Sequence, residues 1–380
     1  MINVHVLQIS RAPLVVFAAM GVLWGSFAAD LPDLKTMLGI SESRLGLLLF
    51  MTPIAAMAAM LAAPWIGARL GRLALPLSAL VMAAAFALPG QVAHWGLFAL
   101  AMLACGAGTG AVDVLMNART SALEAQHRQP LMNLTHAAYS FGFAGGAVLT
   151  GALRSHGVPP SQVLPLMALL AAALILLSFE RDGWIEGLTR PQGEAPGGLG
   201  LIPLIGGGIV LIAFMTENAA ESWSALHIEH TLHGSPALGA AGPAILALTM
   251  GCARLAGQSL TARIRPLPMI LGGSAIAAIG ALTVAVAGSP AMAYAGFIIM
   301  GLGSSVLSPL AFSLVGQLSS VEKRTRAVAR ATFFGYIGYF IGPPVTGFVA
   351  GAIGLPAAFV FAAVMLSLIW LLAPYLKPHP

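Results

Sequence analysis

Four ionisable side chains, Asp113, Glu217, Glu221 and Arg254, stand inside long apolar runs of this sequence. Such a group is costly in an apolar segment unless it is paired or meets water, so each is a candidate for function. Glu217 and Glu221 are four residues apart and share one helical face. Two carboxylates crowded away from water resist ionising together, which suits the pair to carrying a proton. Asn218 beside them offers donors and an acceptor to a solute. The competing reading leaves Glu221 solvated at an interface, with Trp223 as an aromatic anchor. Asn133, His136 and Tyr139, spaced i, i+3 and i+6, form a polar stripe in another apolar run. There His136 serves either as a proton exchanger near neutrality or as a hydrogen-bonded structural group.

Asp113 and Asn117 also share a face, at a depth similar to that of Arg69, Arg72 and Arg330 on other segments. Asp113 is therefore read as one partner in a gate latch with these arginines, against the alternative of a proton site, and Asn117 as a solute contact. Arg254 is expected to snorkel to an interface. Trp24 either stacks on a solute ring or packs in the core, and Phe333, Phe334, Tyr336 and Tyr339 offer further ring surfaces, with Phe334 and Tyr336 taken as solute contacts. Asp30 and Asp33, flanking Pro32, read as a solvated loop. No His or Cys is spaced with carboxylates as a metal site, and none is expected.

These side chains must be held by elements that the composition defines. Of 380 residues, 58% are apolar and 8% charged, against about 25% charged in an ordinary soluble domain. A bilayer is the implied solvent. Apolar runs of helical length occur at 12–29, 45–68, 73–93, 95–117, 131–153, 162–179, 201–226, 237–262, 267–288, 291–317, 327–350 and 355–376. Twelve spanning helices leave no room for a large soluble domain, and alternating segments of the β-barrel kind do not occur. The first run has no cleavage pattern and reads as a retained span. With both termini and the even-numbered loops on one side, that side holds 14 of the 18 basic residues, a positive-inside asymmetry that sets the termini in the cytoplasm. The basic excess thus reports topology, and no basic cluster interleaved with aromatics suggests nucleic acid.

A polar stretch at 180–200 reads as a cytoplasmic linker between a bundle at 1–179 and another at 201–380. The halves echo each other: Ala68-Arg69-Leu70 against Ala262-Arg263-Ile264, Gly106 and Gly108 against Gly301 and Gly303, and Gly142 and Gly145 against Gly335 and Gly338. Parallel six-helix repeats follow.

This pattern resembles the major facilitator superfamily. In the basic loop after the second run, Arg69, Gly71 and Arg72 match the superfamily's motif, while Ala68 and Pro64 stand where Asp and the leading Gly belong. The Gly106, Gly108, Gly110 rhythm resembles the antiporter-associated motif, but Met102 replaces its basic residue, which argues against a drug/proton antiporter. Asp113-Val114, Met116-Asn117, Glu124, Asn133, His136, Ser140-Phe141-Gly142, Glu217, Glu221 and Trp223-Ser224-Ala225-Leu226 are similar to a branch of sugar-permease-like and uncharacterised bacterial inner-membrane members. The resemblance implies a cavity lined by the first, fourth, fifth, seventh, tenth and eleventh helices.

The expected protein is an all-α, twelve-helix transporter of the inner membrane, monomeric and without a bound cofactor. It would move a small polar solute, sugar-like or a related organic molecule, by alternating access with a proton as coupling ion, Glu217 leading, symport preferred. An exporter on the same fold is the alternative within the class. A sensor that binds without moving solute is another reading, and a lipid-modifying enzyme lacks a convergent nucleophile, base and oxyanion donors.

Overall fold

The computed structural model describes residues 4–185, 198–261, 265–320 and 323–376. Among them there are only helices, in the order α1 Val4–Ile9, α2 Arg11–Leu38, α3 Glu42–Leu49, α4 Met51–Leu70, α5 Ala74–Phe86, α6 Trp95–His127, α7 Met132–Ser155 and α8 Pro160–Leu176. The second part of the chain forms α9 Ile202–Leu226, α10 Pro236–Thr261, α11 Pro266–Ala285, α12 Pro290–Ser304, α13 Leu307–Gln317, α14 Arg324–Ile353 and α15 Leu355–Leu372. Nine helical segments among the described residues are long and apolar enough to cross a membrane. The Ala262-Arg263-Ile264 echo and residues 186–197 of the linker lie outside the described residues.

Every expected run coincides with helix, but several ends differ. The run at 12–29 continues to Leu38, and that at 95–117 to His127. Polar residues such as Asn117, Arg119 and Glu124 keep the i to i−4 ladder going after the apolar stretch ends. Asp30 and Asp33 therefore sit on α2 and not in a loop. Two runs are broken instead. Pro53 and Pro309 lack the N–H that would serve the carbonyls of Leu49 and Ser305, and α3 gives way to α4 at Phe50 as α12 gives way to α13 at Ser305. At Gly71 the chain leaves α4 with φ +55°, a conformation that disfavours any side chain, beneath the ring of Trp184.

Packing runs along small residues, as lipid-embedded helices require in the absence of a hydrophobic drive between them. α2 lies on α7, where a Cβ at Gly25 would come 2.8 Å from Phe143 Cα. α9 lies on α14, where a Cβ at Gly338 would come 3.0 Å from Leu211 Cα. Gly106 and Gly110 of α6 meet the backbone of Thr52 and Ala56 on α4. The two parts of the chain also touch: Gly46 of α3 meets Pro343 and Pro344 of α14, and Gly151 of α7 meets Ala240 of α10. The start of the linker is tied to α6, since Arg119 pairs with Glu180 at 2.8 Å and donates to the Trp184 carbonyl at 2.9 Å. Glu124 accepts from the backbone N–H groups of Leu131 at 2.6 Å and Met132 at 2.8 Å, fixing the entry to α7.

Candidate functional site

A cavity of about 450 Å³ lies between α2, α4, α6, α7, α9, α10, α13 and α14. α9 lines it with Phe214, Glu217, Asn218 and Glu221, a single face at helical spacing. α7 contributes Asn133, His136 and Tyr139, and α2 contributes Trp24. The polar stripes expected on both helices thus meet in one space. The α4 and α10 linings, through Thr52 and Arg254, add to the helix set expected from the resemblance.

Arg254 does not snorkel to the interface. Its Nη2 donates to Glu217 Oε1 at 3.2 Å inside the cavity, and Glu217 is 7% exposed. A buried carboxylate attracts the nearest guanidinium more strongly than an interface can, because the pair satisfies both charges at low dielectric. Glu221, one turn along, lines the same cavity and is not at the surface. Trp223 is no interfacial anchor either: it is fully buried, and its Nε1 donates to Thr346 Oγ1 at 2.8 Å.

Asp113 lies about 21 Å from the end of α6 at His127, because the helix runs on past the apolar stretch. Its partners are not the arginines of the expected latch. Asp113 Oδ2 accepts from the Tyr336 hydroxyl at 2.8 Å, and Oδ1 from Asn117 Nδ2 at 3.1 Å. Arg69 instead stacks over Trp65, 4.1 Å from its ring centre, and Arg72 and Arg330 do not line the cavity. Asn117 bonds Asp113 and stands behind it, outside the lining.

Rings make up much of the wall. Phe214 has its ring centre 4.7 Å from that of Tyr339 and 5.9 Å from that of Tyr336. Trp24 meets Phe86 edge-on at 5.0 Å, and His136 lies 4.9 Å from Phe17. Tyr336, Tyr339, Phe340 and Pro343 form the cavity face of α14, whereas Phe333 and Phe334 turn away and Phe334 covers Gly207. Helical spacing alone does not make this division, since Phe333 stands three residues before Tyr336 just as Tyr339 stands three after it. Thr52, Thr109, Ser308, Phe214 and Phe312 also line the cavity and carry no signal in the sequence that distinguishes them from packing residues.

A second charged centre lies where α2, α7 and the turn after α9 meet. Arg154 of α7 binds Asp33 of α2 at 2.7 Å and Glu229, in the π-helical turn His227–Thr231 after α9, also at 2.7 Å. It also donates to the Ala29 carbonyl at 2.7 Å. Asp30 lies 3.5 Å from Arg154 Nε, fully buried, with neither carboxylate oxygen hydrogen-bonded. The reading of Asp30 and Asp33 as solvated is thereby corrected.

The described residues form a bundle of long apolar helices around a solute-sized cavity, largely apolar, into which a few polar and charged side chains project. Residues 205–380 match the family model of the Major Facilitator Superfamily. An uncharacterised MFS-type transporter of Yersinia pestis is 29% identical over 356 residues, covering 92% of this chain and 91% of its own length. Among solved structures, the nucleoside transporter NupG is similar with TM-score 0.74 at 13% identity, covering 98% of this chain and 100% of that one. A D-xylose-proton symporter is similar with TM-score 0.68 at 13% identity, covering 97% and 98%. The second part of the chain thus matches the Major Facilitator Superfamily model, and most of its length is similar to a transporter of that type.

Proposed function

We propose that the protein is a secondary active transporter that moves a small polar solute by alternating access, coupled to protons in the symport sense. The observation that carries the reading is the Arg254 and Glu217 pair inside the cavity, with Glu221 one turn along. A proton taken up by Glu217 removes the negative end of the pair and frees the guanidinium; its loss restores the pair. Solute and proton can therefore bias the same group of side chains. Glu221 and His136 are placed to share the proton, and Trp24, Asn133, Tyr139, Asn218 and Tyr336 to contact the solute.

In this reading the halves 1–179 and 201–380 are twelve spans in two parallel six-helix repeats, with the linker and both termini in the cytoplasm. The recurring pairing of α2 with α7 and α9 with α14 supports the repeat. The Arg154 cluster and the α3 contact with α14 then form the closed outer gate of an inward-facing state. Asp113 acts with Tyr336 as a link between the halves deep in the cavity. The chain works as a monomer in the inner membrane. The D-xylose-proton symporter shares the fold, and it moves its solute with a proton. A Glu217→Gln variant tests the coupling: uptake by the variant should lose its dependence on an imposed pH gradient, and pH-driven uptake equal to wild type would overturn the assignment.

A further inference from the structure

Acidic side chains outnumber basic ones in the cavity lining. Asp113, Glu217 and Glu221 bring three carboxylates, and the guanidinium of Arg254 is committed to Glu217 at 3.2 Å. Asp113 is held by neutral donors, the Tyr336 hydroxyl at 2.8 Å and the Asn117 amide at 3.1 Å, which orient its charge without cancelling it. Among the described residues, no side chain donates a hydrogen bond to Glu221. His136 is the other basic group in the lining, and even when protonated it leaves the acids in excess. A second observation is independent of the acids. Thr52 is 7% exposed, lines the same cavity, and its Oγ1 has no hydrogen-bond partner. A buried hydroxyl without a partner is costly, and a solute donor would relieve it. A third is the wall itself, where Phe214, Tyr339 and Tyr336 sit with ring centres 4.7 and 5.9 Å from Phe214. The faces of such rings attract cations.

We propose that the solute is an organic cation, an ammonium group on a ring or short apolar body, with the charge at Glu221 and the body along Phe214, Tyr336 and Tyr339. The inference rests on the transporter reading and names the solute class for its cavity. An anionic solute would find its one fixed cation already paired, beside uncompensated carboxylates that repel it. A neutral solute would leave those carboxylates as they are. An ammonium at Glu221 also leaves room for a proton elsewhere in the acid set, so the class is compatible with symport.

The test is equilibrium binding to the full-length protein purified in detergent, with three probes of nearly equal shape: phenylethylammonium, 2-phenylethanol and phenylacetate. Thermal stabilisation and intrinsic tryptophan fluorescence are the readouts, since a ligand of the folded state raises its apparent stability. Phenylethylammonium should bind at millimolar concentration or better and about tenfold more tightly than the alcohol, with phenylacetate weakest. Glu221→Gln should remove the preference, bringing ammonium affinity down to that of the alcohol measured on the same variant. The probe series on the unmodified protein keeps the test valid if that variant does not fold. Equal binding of ammonium and alcohol, preference for the carboxylate, or no ammonium binding at all would overturn the proposal. Because no gradient is used, failure here is separable from failure of transport, which only flux across a sealed bilayer reports.

Discussion

Side chains in and behind the cavity make contacts whose loss can be measured one at a time. Trp223 is fully buried and donates to Thr346 at 2.8 Å, so Trp223→Phe removes a buried hydrogen bond and leaves Thr346 Oγ1 without that donor. The expected cost is about 1 to 2 kcal/mol, read as a lower unfolding temperature of the purified protein with its cavity ligands unaffected. Tyr336→Phe removes the donor from Asp113 and should lower transport severalfold while changing stability little, because Asp113 retains Asn117. Flux and thermal unfolding measured on the same preparation separate the two effects. Much of this site was legible in the residues: Glu217 and Glu221 at i and i+4, and the Asn133, His136, Tyr139 stripe, all line the cavity. The partners were not. Arg254 is 37 residues from Glu217, and Tyr336 is 223 from Asp113. Which helix faces meet is decided by packing along the whole bundle, and periodicity within one helix carries no information about it.

At the scale of elements, the helices were visible because twenty or so apolar residues have no other use in a short segment. Their ends were less so, since the polar tails of α2 and α6 remain helical beyond the apolar stretch, and this misplaced the depth of Asp113 and the setting of Asp30. The helical glycines divide into two kinds once their surroundings are known. Gly25 faces the backbone of Phe143 on α7, and Gly145 faces open space. Gly25→Val should therefore force α2 from α7, at a cost of about 3 kcal/mol or more. Gly145→Ala should leave stability unchanged or raise it by up to about 1 kcal/mol, the gain in helix propensity. Thermal unfolding of the two variants side by side checks the contrast; similar losses in both would show that the α2 and α7 contact is looser than described.

At the scale of the molecule, Arg154 of α7 gathers three carboxylates, two from α2 and one from the turn after α9, at the proposed outer gate. Arg154→Gln removes the cation and leaves Asp30, Asp33 and Glu229 to repel one another. The gate should then open more often. In a background of Cys105→Ser and Cys252→Ser, an Ala28→Cys reporter inside the cavity should react with a membrane-impermeant maleimide about tenfold faster from the outer side, as a bias of about 1.4 kcal/mol would produce. An unchanged rate would mean that the cluster does not hold the gate.

The central claim is that solute and proton cross together through a cavity in which Glu217 carries the proton. Its most direct test is the lumen pH of proteoliposomes, followed with a trapped dye when a cavity ligand is added outside with no imposed gradient. Wild-type protein should acidify the lumen as the ligand enters, and Glu217→Gln protein should not. Entry of labelled ligand with no change in lumen pH, or equal acidification by the variant, would contradict the account.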